Sequence, residues 1–206
     1  MGMLERKLGF LAHNWFKILM ALLALAGAIL IIVEIASVTC ALSNVDTAIT
    51  AGAANDATKA GLQSGLLFDI GILISLIAII VAIIISMFHS KKIAGIVLAA
   101  GGFIALVLAI ISLVVAVPYL NDLLNNATTG ANTLKAEYDA AVAGGAPQGM
   151  IDTLHFGWQS ALYNYQAVLF GNIINIFVFA LLPLFFGIKK ICKACCKKEA
   201  EAPTAK

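Results

Sequence analysis

The chain has 206 residues, of which 62% are hydrophobic and only 12% charged, with a formal net charge of +2. Soluble domains run near half apolar and a quarter charged, so this composition excludes an ordinary soluble domain and points to a membrane protein. The small basic excess is segregated along the chain rather than gathered into a stripe, which argues against nucleic acid as a partner. Four cysteines in a chain of this length do not make a disulfide scaffold.

Residues 1–17 carry Leu4, Leu8, Leu11 and Trp15 at helical spacing opposite Glu5, Arg6 and Lys7. That pattern suits an amphipathic helix in the headgroup region with Trp15 as its anchor, or equally a helical run-in to the first span. Four apolar stretches follow, at 18–42, 67–88, 93–120 and 167–188. Each is long enough, at about 1.5 Å per residue, for a hydrocarbon core of about 30 Å. The first is interrupted by Glu34, the second has Asp69 at its edge, and the fourth contains Asn172, Asn175 and Pro183. Pro183 is expected to kink its helix or release a carbonyl. Arg6, Lys7, Lys17, Lys91, Lys92 and every lysine from Lys189 onward fall on one side of these spans; only Lys59 and Lys135 fall on the other. The positive side is cytoplasmic by rule, so both termini and the turn at 90–92 are expected inside, and 43–66 and 121–166 outside. The outer segments read as partly helical: a helix over 133–142 capped by Asn132, a turn at 144–147, and a helix over 150–165 bearing Leu154, Trp158, Leu162 and Tyr165. Tyr119, Trp158, Tyr163 and Tyr165 are expected in an outer aromatic belt. The fold class is therefore an all-α integral membrane protein, four transmembrane helices in an antiparallel bundle with helical outer extensions.

The third span is the longest and most informative. Gly95, Ala99, Gly102, Ala105, Ala109, Ser112 and Ala116 recur at intervals of three and four, forming a strip of small side chains. In lipid such a strip lets another helix approach closely, and van der Waals packing then holds the pair. The second span has its own strip, including Gly71, Ser75, Ala78 and Ala82, and the first has Ala21, Ala24 and Ala28.

Glu34 is the sharpest single feature. A carboxylate about 12 Å inside the outer boundary costs a few kcal/mol, so it needs partners within the bundle or a proton. Counting inward from each boundary sets Ser75, Ser112 and Asn175 at a similar depth, with Asn172 one turn further out and no second carboxylate at that level. These groups form either a cation or proton site or an interhelical hydrogen-bond layer, each bond worth about 0.6–2 kcal/mol; the layer is the preferred reading. Cys40 stands alone near the outer boundary, where a buried thiol is expected. Beyond the fourth span, Cys192, Cys195 and Cys196 lie among lysines. Juxtamembrane cysteines of this kind fit reversible acylation, and the lysines fit anionic lipid; three thiols without a fourth ligand do not complete a zinc site. Asn126-Ala127-Thr128 is a glycosylation sequon on the expected outer side. No nucleophile–base set, phosphate loop or metal constellation is legible, so neither an enzyme nor a cofactor or metal is expected.

Four spans, internal termini, a smaller and a larger outer segment and juxtamembrane cysteines together resemble the layout of tetraspan proteins such as tetraspanins and claudins. The chain lacks the Cys-Cys-Gly motif and paired loop cysteines of the first and the loop tryptophan–cysteine pattern of the second. The resemblance implies lateral membrane organisation or junction-like assembly and carries no residue-level site. The expected function is a scaffold in the plasma membrane that associates with itself or with other membrane proteins. The alternatives are a channel or transport subunit using Glu34 and an accessory subunit of a larger complex.

Overall fold

The computed structural model describes residues 3–88 and 91–200, and side-chain surroundings for 14–88, 91–161, 163, 166 and 170–195. The leucine stripe at 4–11, the start of the turn at 89–90, and the side chains of Leu162, Tyr165 and Cys196 lie outside the described residues. The described chain comprises α1 (Met3–Thr50), α2 (Asp56–Phe88), α3 (Lys91–Ala143), α4 (Gln148–Ile176), a π-helical turn (Phe177–Leu181) and α5 (Leu182–Ala200). No strand occurs among these residues. Four stretches are long and apolar enough to cross a membrane: Asn14–Thr50, Asp56–Phe88, Lys91–Ala143 and Phe170–Cys195. The protein is an all-α, multi-pass membrane protein.

The helices do not stop where hydrophobicity stops. With 53 residues, α3 is about 80 Å long, far more than a bilayer core. The reading of 133–142 as a separate helix capped by Asn132 is corrected: Asn132 lies in the interior of α3. Nothing between Asn121 and Val142 breaks a helix strongly, and Thr128 and Thr133 satisfy their hydroxyls on the carbonyls of Leu124 and Thr129. The helical outer extensions leave two short turns, at 51–55 and 144–147. Gly52, at φ 72°, ends α1, and the Ala53 amide returns to Ala48 O at 2.8 Å. Asn55 Oδ1 then accepts the Thr58 amide at 2.7 Å and caps α2. Gly145, at φ 65°, ends the second extension, with Ala146 N on Ala141 O at 2.9 Å. Pro147 follows it, where no further donor is needed to start α4.

The α3–α4 extension forms a stalk. Tyr138 stacks on Trp158 with ring centroids 6.1 Å apart, His155 meets both rings, and the Lys135 ammonium sits 5.8 Å above the Trp158 ring. Gly157 faces Leu134, which sets Trp158 about 20 Å beyond Leu120 and therefore in the stalk rather than in the expected aromatic belt. Trp158→Ala is expected to cost the stalk about 2 kcal/mol and to speed amide exchange over 130–160. Exchange in the apolar portions of α2 and α3 should stay unchanged.

Within the apolar portion the helices form an open row. Among the described residues the one substantial partner of α1 is α2; α2 packs on α3, and α3 on α4, the π turn and α5. Among the described residues it is the π turn that carries the fourth span back to α2. That turn has a local cause. Pro183 has no amide proton, and its ring crowds the carbonyl of the residue four earlier. One extra residue is absorbed just ahead of it, and the Leu182 amide bonds Phe177 O, five residues back.

Candidate functional site

The small-residue strip of α3 divides between two neighbours. Gly95, Ala99 and Gly102 meet α5: a methyl added at Gly102 would lie 2.5 Å from Leu184 N and 2.8 Å from Ala180 O, and one at Gly187 would lie 2.5 Å from Ala99 N. A second row, one residue displaced, meets α2. A methyl on Gly101 would strike the Ala78 side chain, and Gly71 stands against Ala105 and Leu108. Ala94, Leu98 and Ala82 form one buried cluster. Ala109, Ser112 and Ala116 are buried as well. Ala94 and Gly101 escaped the sequence reading because each lies off the single heptad-like strip of α3, and a helix between two partners needs two such rows; Gly187 lies on the fourth span, where it faces that strip from the other side.

The expected polar layer breaks apart. Ser112 Oγ donates to Ser64 O at 2.9 Å and lies 3.0 Å from Ser64 Oγ, so its partner is Ser64 rather than Glu34. Ser75 is fully buried with no partner for its hydroxyl among the described residues, on the same α2 face as the buried Gly71, Ala78 and Ala82. Ser112→Ala is expected to cost about 1 kcal/mol in reversible unfolding, and to keep much of that cost when Ser64 is also alanine, because the Ser64 carbonyl that accepts its hydroxyl remains.

Asp69 takes the place of these serines. Gly27 faces Leu76, and Asp46 Oδ1 meets Lys59 Nζ at 2.6 Å; this antiparallel register puts Glu34 level with Asp69. Counting from hydrophobic boundaries misplaced α2 by about 9 Å, because α1 and α2 pair well beyond their apolar stretches. A second carboxylate therefore does stand at the level of Glu34. Both line a cleft of about 1120 Å³ between α1, α2 and the fourth span, together with Asn172 and Asn175. Along its length the cleft is apolar, walled by Leu23, Ile31, Ile72, Leu76 and Phe179, and at the end nearer the termini it carries Lys17 and Lys190. From Phe16 to Val38 it extends about 33 Å, the full depth of a hydrocarbon core. Glu34 is exposed along it, while Asp69 is only 7% exposed. Neither carboxylate has an ion-pair or hydrogen-bond partner among the described residues. Asn175 also borders α3 at Ala105 and Ala109, and Asn172 borders the Ser64–Ser112 pair.

Cys40 is exposed, not buried, as are Cys192 and Cys195. Asn126 is exposed on the stalk portion of α3. No group of three His, Cys, Asp or Glu side chains suited to a metal ion occurs among the described residues. No protein-family model, curated protein or solved structure matches the chain.

Proposed function

We propose that the chain is a non-enzymatic assembly component of a membrane, whose cleft between α1 and the fourth span seats a transmembrane partner. The observation that carries this reading is the cleft itself. Helices associate in lipid through close packing and polar contacts, and α1 and the fourth span leave a bilayer-deep groove where a closed bundle would pack. Acidic groups at membrane depth mark a place of interaction rather than lipid contact. A cation pathway is the second reading, favoured by the convergence of Glu34, Asp69, Asn172 and Asn175. The open row of helices, in which α1 has no substantial contact with the fourth span among the described residues, encloses no central axis and weighs against it. In the proposed arrangement both termini are cytoplasmic, following the lysines, and acylation of Cys192 and Cys195 would tether α5 to the inner leaflet.

The test is the protein mass of the particle extracted from its native membrane in mild detergent. Assembly predicts a defined mass above the 21.6 kDa of one chain. A homogeneous single-chain particle contradicts it.

A further inference from the structure

The cleft differs in chemistry from end to end, and that asymmetry specifies an occupant. We infer that it receives a single membrane-spanning helix bearing one arginine or lysine at the level of Glu34 and Asp69. This rests on the assembly reading above and adds the partner's chemistry.

Three observations support it. The first is charge. Glu34 and Asp69 share a level and a cleft, Asp69 is more than nine-tenths buried, and no described side chain pairs with either. Lys59, the nearest lysine along α2, is committed to Asp46, and Lys17 and Lys190 stand at the opposite end of the cleft. A buried carboxylate without a partner is costly in lipid, and a cation on the occupant would remove that cost. An arginine could meet two carboxylates through its forked donors, and Asn172 and Asn175 offer further carbonyl acceptors. The second is length. A groove of about 33 Å matches a spanning helix, whereas a phospholipid from one leaflet fills about half that depth. The third is the sign at each end. An anionic headgroup suits Lys17 and Lys190 but is repelled where the carboxylates lie, so one lipid does not satisfy the whole cleft.

The probe is a dansyl-labelled 21-residue leucine–alanine peptide with one arginine six residues from its end. Its companion carries leucine at that position. Each is reconstituted with the full chain in phosphatidylcholine vesicles, and energy transfer from the native tryptophans reads association; Trp15 stands beside Phe16 at the mouth of the cleft. The arginine peptide should bind at least about tenfold more tightly than the leucine peptide. Glu34→Gln with Asp69→Asn should abolish that preference, and Glu137→Gln, on the stalk, should leave it intact. Amide exchange of the double variant shows whether its fold is retained. Lysine in place of arginine should keep most of the preference.

Equal binding of the two peptides overturns the inference while leaving lateral assembly standing. So does a preference that survives in the double variant. Binding of neither peptide, with phospholipid retained in the purified particle, overturns it in favour of a lipid-filled cleft. Failure of assembly itself is read separately, from the native particle mass.

Discussion

Replacing Gly102 with leucine, or Gly187 with valine, is expected to destroy the fold before it affects any association. At Gly102 even the first carbon of a side chain would fall 2.5 Å from Leu184 N, and at Gly187 it would fall 2.7 Å from Ala99 Cα. The obstructing atoms are backbone, so no rotamer change relieves the clash, and α3 and α5 must separate. Overpacking of this kind costs about 3 kcal/mol or more, and the parting helices also lose the dispersion contacts that hold a bundle together in lipid. The variants should leave detergent extraction as polydisperse material with an early loss of tertiary structure on heating. Gly171→Leu is the control: nothing lies within 4 Å of its added carbon, and its stability should shift by less than about 0.5 kcal/mol. If Gly102→Leu and Gly171→Leu melt alike, the close α3–α5 packing is wrong.

The converse result is expected at Gly65. It lines the cleft near the carboxylates, and a carbon added there meets nothing within 4 Å. Gly65→Trp should therefore leave the unfolding transition unchanged, or raise it slightly because glycine is a poor helix former. It should also fill the outer half of the cleft and reduce the native particle to a single chain. The paired result separates folding from assembly: Gly102→Leu fails in the chain, Gly65→Trp fails only between chains. An intact oligomer in well-folded Gly65→Trp protein would place the association surface elsewhere.

What the sequence disclosed follows from what a bilayer demands. An uninterrupted apolar run must be helical to satisfy its own backbone, so the four crossing helices were legible from hydrophobicity alone. Small residues at intervals of three and four announced close packing. They did not say which neighbour, and α3 turned out to serve two, with Gly101 and Gly102 facing different helices. The depth of polar groups was read less well. Hydrophobic boundaries mark where side chains change character, whereas register is fixed by contacts such as Gly27 with Leu76 and Lys59 with Asp46. Those contacts moved Ser75 and Ser112 away from Glu34 and brought Asp69 to it. The outer helix over 133–142 was legible, but not its continuity with the third span: Asn132 is a residue that readily caps a helix start, yet helix propensity and stalk packing carry α3 straight through it. The cleft had no sequence signal, because it is the space left by helices that do not meet.

The most direct measurement is photo-crosslinking in intact membranes, with a photoreactive amino acid placed at Leu23 or at Leu25. Both positions are exposed on α1, at 58% and 49%, but only Leu23 lines the cleft. If the cleft seats a partner helix, Leu23 gives a discrete protein adduct and Leu25 gives lipid adducts. Lipid adducts at both positions, or the same protein adduct at both, would contradict a cleft built for assembly.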